Sequence, residues 1–191
     1  MYEIRRYVRA NDMGTAVLLE SLVNNRGRVR KLVVASSMSI YGEGAYACEA
    51  CGSSVHPKLR PAAQLRDRRW EVECPACGGE LKPAPTNEDK PLFPTSVYAV
   101  TKQDQEQFCL VVGRAYNIPT VALRYFNVYG TRQALSNPYT GVCAIFSSRL
   151  LNDQVPVVFE DGRQQRDFVH VSDIVQANLW RLRPTAPTTK P

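Results

Sequence analysis

Two short apolar runs constrain the fold of this chain more than any other feature of its sequence. Residues 32–35 (LVVA) are continuously apolar, which predicts a strand buried on both faces. The stretch 118–126 (IPTVALRYF) predicts the next buried strand, and residues 155–161 (VPVVFED) predict a further one. Segments with helical periodicity precede each of these runs, so helix and strand alternate along the chain. The alternation predicts an α/β fold built on a doubly wound parallel sheet.

Four segments have the apolar spacing and the end signals of helices. They are residues 1–24, 95–116, 142–151 and 174–182. Thr95 or Ser96 can cap the second of these helices, and Ser172 with Asp173 can cap the last one. Residues 183–191 show no periodicity, which predicts a disordered tail.

Residues 45–86 differ in composition from their surroundings and predict an insertion. They hold two Cys-x-x-Cys-Gly turns, with twenty-two residues between the second cysteine of one and the first of the other. Two such turns supply the four sulfurs of a closed tetrahedral metal site. Thiolates also accept iron, but the ribbon-like spacing favours zinc. The sequence therefore predicts a small four-cysteine zinc ribbon with a structural metal. Its predicted ligands are Cys48, Cys51, Cys74 and Cys77.

The composition is that of a globular chain, with 44% hydrophobic residues, 22% charged residues and a formal charge of +6. No stretch approaches the roughly 18 uninterrupted apolar residues of a membrane helix, and the first residues lack the apolar core of a signal peptide. We therefore expect a cytoplasmic protein with no membrane partner. The basic residues suit a phosphate-bearing ligand, nucleic acid or a solvated face. Their irregular spacing, without a recognised nucleic-acid motif, argues against nucleic acid.

Tyr98 and Lys102 stand four residues apart in a predicted helix and therefore share a face. A lysine ammonium beside a tyrosine hydroxyl favours the phenolate, which is the form that acts as a base. A serine that hydrogen-bonds the same substrate hydroxyl would complete the group, and Ser37 follows the first predicted strand. The pair alone also occurs on ordinary helix faces, so its surroundings decide how it is interpreted.

Four blocks stand in a fixed order around this pair: ASSMSIYG at 35–42, SVYAVTK at 96–102, LRYFNVYG at 123–130 and QQRDFVHVSDI at 164–174. Together they resemble the extended short-chain dehydrogenase/reductase family, the NAD-dependent epimerases and dehydratases of nucleotide sugars. The segment YVRANDMGTAVLLESL at 7–22 resembles the helix that precedes the serine-bearing strand in that family. The resemblance implies a Rossmann-like sheet, NAD as cofactor and a nucleotide-diphosphate sugar as substrate.

The resemblance also implies a role for each matching residue. Ser37 matches the catalytic Ser/Thr, Tyr98 the base, and Lys102 the lysine that also holds the nicotinamide ribose. The implied cofactor-binding residues are Asn11, Ser36, Tyr98, Lys102 and Phe126. The implied substrate-binding residues are Ser37, Asn127, Phe159 and Arg166. In this scheme Asn127 and Arg166 bind the diphosphate, which a guanidinium suits, and Phe159 lies beside the nucleobase.

The residues after Ser37 favour one branch of the family. Its dehydratases place an Asp-Glu pair directly after the catalytic threonine, whereas Met38 and Ser39 stand there in this sequence. The resemblance therefore favours epimerisation, by hydride removal to NAD and return to the opposite face. We expect a 4-epimerase of a UDP- or dTDP-hexose. The inserted ribbon resembles that of dTDP-rhamnose 4-epimerase-like proteins.

The sequence departs from the family at its dinucleotide loop. It contains no Gly-x-x-Gly-x-x-Gly, the loop that cradles the pyrophosphate at a helix N-terminus. We therefore expect an incomplete Rossmann-like sheet in a truncated chain that is inactive alone. The alternative is a non-catalytic remnant that acts as a zinc-ribbon binding module. Whether NAD or NADP would be preferred stays open.

The expected division of the chain has four parts. They are a Rossmann-like part at 1–44, the insertion at 45–86, a Rossmann-like continuation with part of the substrate region at 87–182, and the tail at 183–191. The resemblance also implies a homodimer through the first helix and the Tyr98 helix, packed as a four-helix bundle. The alternative is that the apolar faces of these helices are buried inside the monomer.

Overall fold

The computed structural model describes residues 3–134 and 141–183, and helices and strands alternate along them. In chain order the strands are Leu32–Ser37 (β1), Ala45–Cys48 (β2), Ser54–Val55 (β3), Leu81–Ala84 (β4), Thr120–Tyr125 (β5), Asn127–Tyr129 (β6) and Phe168–His170 (β7). The α-helices are Ile4–Tyr7 (α1), Gly14–Asn24 (α2), Ala62–Arg66 (α3), Val97–Ala115 (α4), Val142–Leu151 (α5) and Val171–Leu182 (α6).

The helices predicted from the sequence are confirmed within the described residues, with one change at a cap. A π-helical segment, Val8–Met13, joins α1 to α2, so the chain is helical from residue 4 to residue 24. The Ser96 hydroxyl caps α4 by accepting a hydrogen bond from the Ala99 amide at 3.1 Å. The cap of α6 is His170, whose Nδ1 accepts from the Ser172 amide, and not the predicted Ser172 and Asp173. Residues 184–191 of the predicted tail lie outside the described residues.

The centre of the fold is the parallel pair of β1 and β5, with α4 as the crossover helix. The register runs from Leu32 opposite Thr120 to Ser37 opposite Tyr125. Both α2 and α4 pack on one face of the pair, where Leu19, Val34 and Cys109 form a buried cluster. This arrangement confirms the predicted α/β class with a parallel sheet.

The prediction that β1 is buried on both faces is wrong. Val34 and Ser36 are buried under the helices, whereas Ala35 on the opposite face is exposed. Helix α6 packs on that opposite face, where Asn178 shares a hydrogen bond with the Tyr125 hydroxyl at 2.8 Å, but it leaves Ala35 uncovered. An apolar run therefore marks this strand correctly, but it does not tell how many layers cover it.

The prediction of a strand at residues 155–161 is also wrong. This segment is irregular, and Val155, Val157, Val158 and Phe159 are 52–80% exposed. A strand needs a neighbour to receive its backbone hydrogen bonds, and in the described residues no other strand pairs with this segment. The parallel neighbours in this region are β6 and β7, with Asn127 opposite Phe168.

Residues 45–84 fold into a separate small antiparallel sheet, in the order β3–β2–β4. This sheet has its own buried cluster, formed by Cys48, Cys74 and Leu81. Its two connections to the main unit are tied together. A Cβ on Gly42, whose φ is +70°, would lie 2.3 Å from the Phe93 carbonyl oxygen, and the Ala45 amide donates to Thr86 Oγ1 at 3.0 Å.

The outer sides of α2 and α4 carry exposed apolar side chains. They include Met13, Val17 and Leu18 on the first helical stretch and Val100, Phe108 and Val111 on α4, each 42–61% exposed. The alternative that these faces are buried inside the monomer therefore does not hold for these outer side chains, although Leu19 of α2 and Cys109 of α4 are buried there. None of the described helices combines the length and apolar character that a bilayer crossing requires.

A charged pair joins α4 to β5 on the inner side of the helix. The Glu106 side chain is 2% exposed and receives two hydrogen bonds from the Arg124 guanidinium, at 2.7 and 3.2 Å. The same guanidinium donates to the Tyr41 hydroxyl at 2.7 Å and to the Glu88 carbonyl at 2.9 Å. Burial alone would raise the pKa of Glu106, but the hydrogen bonds and charge of Arg124 outweigh burial and lower it.

We expect Glu106→Gln to lower the free energy of unfolding at pH 7 by about 2 kcal/mol, because it leaves a half-buried guanidinium without its anion. The folded-state pKa of Glu106 lies below the ordinary 4.5, so the pair stabilises fully above that pH and loses its effect as the pH falls through the folded-state pKa. Urea unfolding at a series of pH values should show the difference between variant and wild type narrowing below about pH 4.5. Glu20→Gln, on the exposed side of α2, is the control. A difference that does not change with pH would contradict this account.

Candidate functional site

The four cysteines of the two turns converge on one point. Their Sγ atoms all lie within 4.8 Å of one another, with Cys48 and Cys77 at 3.5 Å and Cys51 and Cys74 at 3.7 Å. The two turns have the same geometry, since the Gly52 amide donates to the Cys48 carbonyl and the Gly78 amide to the Cys74 carbonyl, each at 2.8 Å. Both glycines adopt positive φ, of 70° and 74°, which a residue with a side chain adopts only under strain. The predicted metal-ligating residues are thus brought together.

Lys102 reaches from α4 to the sheet. Its Nζ donates hydrogen bonds to the Ala35 carbonyl oxygen in β1 and to Oε1 of Gln105, one turn further along the helix. The amide nitrogen of Gln105 donates in turn to Thr15 Oγ1 on α2, at 2.9 Å. Burial lowers the pKa of Lys102. The ammonium is therefore fixed at the carboxyl half of β1 by three elements of the fold.

Tyr98 lies one turn before Lys102 on the same helix. Its side chain is 39% exposed, and its ring meets the ring of Tyr7 edge to face, with the centroids 5.8 Å apart. Because residues four apart share a helix face, Tyr98 and Lys102 project to the same side of α4. The tyrosine is held by its own helix and by α1 and is still open to a ligand.

Two serines end β1 at the same edge of the sheet. Ser36 is 3% exposed, whereas Ser37 is half-buried and begins the 3₁₀ turn Met38–Tyr41. The Ser37 Oγ accepts hydrogen bonds from the backbone amide of Ser39 at 3.2 Å and from its hydroxyl at 2.8 Å. The proton of the Ser37 hydroxyl is therefore left to donate to another group.

Phe126 and Asn127 follow β5, whose last residue lies opposite Ser37 in the register. The Asn127 side chain donates to the Asp167 carbonyl at 2.9 Å, and its Nδ2 lies 3.7 Å from the Met38 sulfur. This contact brings the residue after Arg166 to the strand edge. Since carboxyl ends of parallel strands meet at one edge, Ser37, Phe126 and Asn127 lie there together.

Three predicted site residues have other surroundings. The Asn11 side chain donates to Thr101 Oγ1 at 2.9 Å, so it joins the first helical stretch to α4 beside Lys102. Phe159 is 76% exposed on the irregular loop, and none of the described hydrogen bonds or ring contacts links its side chain to the strand edge. Arg166 is exposed, and its Nη1 donates to the neighbouring Gln165 carbonyl at 2.6 Å.

The sequence analysis missed Gln105, Thr15 and Asp167 as members of the site. Gln105 is three residues after Lys102, so helix spacing could have suggested the contact between them. Thr15 and Asp167 come from distant parts of the chain, and no local pattern marks either residue.

Comparison with known proteins identifies similar sequences and structures. The model of the NAD dependent epimerase/dehydratase family matches residues 75–189. A dTDP-L-rhamnose 4-epimerase from Burkholderia thailandensis is 36% identical over 180 residues, which are 94% of this chain and 48% of that protein. A putative UDP-glucose 4-epimerase from Methanocaldococcus jannaschii is 41% identical over 104 residues, which are 54% of this chain and 34% of that protein.

Two solved structures of 4-epimerases have the same fold. The UDP-glucose 4-epimerase of Thermotoga maritima, solved with UDP-glucose, matches 94% of this chain and 46% of its own, with a TM-score of 0.68 and 29% identity. The UDP-glucuronic acid 4-epimerase of Bacillus cereus, solved with UDP-glucuronic acid and NAD, matches 97% of this chain and 45% of its own, with a TM-score of 0.68 and 26% identity. The matched part of this chain covers less than half of each of these four proteins.

Proposed function

Because this chain belongs to the NAD-dependent epimerase/dehydratase family, we propose that its Ser37, Tyr98 and Lys102 serve the 4-epimerisation of a UDP- or dTDP-hexose. The observation that carries the proposal is the position of Lys102. Its ammonium is fixed at the carboxyl half of β1, one helix turn after Tyr98 and beside the strand that ends in Ser37. The relatives named as 4-epimerases of dTDP-rhamnose and UDP-glucose support the reaction type.

The residues proposed to hold NAD are Asn11, Ser36, Tyr98, Lys102 and Phe126. Lys102 fits this role because an ammonium has three hydrogen-bond donors, and in the described contacts two of them go to Ala35 and Gln105. The third is left for a ribose hydroxyl. When bound, NAD supplies the acceptor for a hydride from the sugar and the donor that returns it.

Side chains of this chain would carry out the proton transfers of the reaction. Tyr98, one helix turn before the Lys102 ammonium, would take the proton of the sugar 4-hydroxyl and later return it. Ser37 would donate to the same oxygen, since its Oγ already accepts two hydrogen bonds from Ser39. Met38 and Ser39 offer no acid to expel a water from the sugar, which supports epimerisation over dehydration.

Asn127, Arg166 and Phe159 are proposed to hold the nucleotide diphosphate. The Arg166 guanidinium is exposed, and in the described residues no carboxylate lies within ion-pair distance of it. An exposed guanidinium without an acidic partner suits a diphosphate. The loop that bears Phe159 would lie beside the nucleobase.

We expect NAD to bind the purified chain saturably and Lys102→Ala to weaken this binding roughly tenfold, because the variant loses a charge-assisted hydrogen bond to the ribose. Titration calorimetry measures both, with Lys31→Ala, just before the opposite end of β1, as the control. Equal binding by Lys102→Ala and wild type, or no binding by wild type, would contradict the cofactor proposal. Because the sequence has no glycine-rich loop to cradle the NAD pyrophosphate, we expect the binding to be weak. For the same reason we expect this chain alone to turn over UDP-glucose or a dTDP-hexose little or not at all.

We further propose that the four-cysteine cluster binds a structural zinc ion. The four sulfurs lie at mutual distances of a closed site, and two of them, from Cys48 and Cys74, belong to the buried cluster of the inserted sheet. Four protein ligands leave no open position for substrate, so the metal would stabilise this sheet and take no part in the chemistry.

We expect the purified chain to contain about one zinc ion per molecule and Cys48→Ser to lose it, because the variant removes one of four thiolate ligands. Atomic emission measures the metal, and hydrogen exchange of residues 45–84 should rise in the variant. Cys143→Ser, on α5, is the control. Unchanged metal content in Cys48→Ser, or iron in place of zinc in wild type, would contradict the proposal.

The exposed apolar sides of α2 and α4 are the proposed contact with a second copy of this chain. Two antiparallel or parallel helix pairs of this kind can bury one another as a four-helix bundle. Val17 and Val111 have the highest exposed fractions among the apolar side chains of α2 and α4, at 59% and 57%.

We expect Val111→Asp to weaken self-association at least about tenfold, because it places a charge in an apolar contact. Sedimentation equilibrium measures the change. Val175→Asp, at a residue of similar exposure on α6, is the control. A wild-type chain that stays monomeric at high concentration would contradict the proposal.

A further inference from the structure

One ion pair links the inserted sheet to the irregular loop 155–167. The guanidinium of Arg60 meets the Glu160 carboxylate through two hydrogen bonds, Nη1 to Oε2 at 2.8 Å and Nη2 to Oε1 at 2.9 Å. The two side chains are only 22% and 23% exposed. Nη1 also donates to the Trp70 carbonyl at 2.6 Å, so the guanidinium is fixed within the inserted unit before it reaches the loop. A planar, two-point contact of this kind fixes direction as well as distance.

On the loop side, Glu160 lies at the centre of a small closed turn. Its backbone has a φ of +56°. The side-chain Nε2 of Gln164 donates both to the Glu160 carboxylate and to the Phe159 carbonyl, each at 3.1 Å. The Gly162 amide also donates to the Phe159 carbonyl, at 3.3 Å. A force that fixes Glu160 therefore also fixes the backbone of Phe159.

The far end of the loop follows directly on the turn around Glu160. Gln164, whose side chain bonds the Glu160 carboxylate, lies two residues before Arg166. Arg166 is followed by Asp167, whose carbonyl receives the Asn127 side chain at the strand edge.

The loop has little else to order its middle. It forms no strand, and its apolar side chains from Val155 to Phe159 are largely exposed. Its ends are held by Arg149, which donates to the Val155 carbonyl at 2.8 Å, and by Asn127 at Asp167. Between these two points, among the described residues, the side-chain contact that joins the loop to another part of the fold is the Arg60–Glu160 ion pair.

We propose that the inserted four-cysteine unit is a positioning arm for the nucleotide-diphosphate site. Arg60 holds the loop through Glu160 and so places Phe159 and Arg166, the residues proposed above to receive the nucleobase and the diphosphate. Arg60 is thus a positioning residue that acts through another side chain. The inference rests on the proposed function for the identity of the ligand, but the clamp itself is a property of the two side chains.

Limited proteolysis tests the clamp without any ligand. Chymotrypsin cleaves after aromatic residues, and we expect Arg60→Gln and Glu160→Gln each to speed cleavage after Phe159 about threefold, because the loop opens more often. The double variant should be no faster than either single one, and the reversed pair, Arg60→Glu with Glu160→Arg, should restore the slow rate. Arg66→Gln, an exposed arginine of the same unit, is the control. Single variants that are cleaved at the wild-type rate, or a double variant with additive effects, would overturn the clamp.

Calorimetric titration with UDP and with dTDP tests what the clamp positions. We expect Arg60→Gln to weaken nucleotide binding about threefold while NAD binding stays at the wild-type level, a split that general unfolding would not produce. The reversed pair should recover nucleotide affinity. Equal nucleotide affinity in Arg60→Gln and wild type would overturn the positioning role. If wild type binds neither UDP nor dTDP, the substrate part of the proposed function fails, and the cleavage rates still decide whether the clamp exists.

Discussion

Helix α4 organises the described structure through the polar face that it buries. Lys102 and Glu106 lie one turn apart on this helix, and their side chains contact two different strands. Lys102 binds the Ala35 carbonyl in β1, and Glu106 binds Arg124 in β5. Two charged side chains thus fix the helix across the parallel pair, and the same contacts set where the Tyr98 side chain stands. The candidate active site and the packing of the helix are therefore one arrangement.

This buried face combines apolar residues such as Cys109 with polar and charged ones. Glu106 and Thr101 are each 2% exposed, whereas Phe108 and Val111 on the other side are 42% and 57% exposed. Burying charge costs free energy unless each charge is paired, and here Arg124 and the acceptors of Lys102 offset that cost. What the helix gains is direction, since hydrogen bonds fix orientation and dispersion contacts do not. Its exposed apolar side is the surface proposed above for a second copy of this chain.

The sequence predicted features that depend on neighbours along the chain. Ser96 caps α4 because a hydroxyl three residues before an amide suffices, and the two cysteine turns close because each needs only its own glycine. Apolar spacing located β1 and β5 but not their burial, because the number of covering layers is set by distant helices. The run at 155–161 misled for the same reason, since a strand requires a partner that a local pattern does not supply. The roles of Ser37, Tyr98 and Lys102 stay predictions.

The position of the insertion in the chain explains how it can affect the site without belonging to it. It leaves the main unit after the serine-bearing strand and returns before the Tyr98 helix, so its two connections lie next to the elements that carry the proposed residues Ser37 and Tyr98. Lys90, which is 4% exposed, joins the two connections because its ammonium donates to the Tyr41 carbonyl at 2.9 Å. From these fixed connections the unit extends to Glu160, one hundred residues after Arg60 in sequence. If the proposed zinc ion stabilises the small sheet, the Arg60 contact carries that stability to the loop.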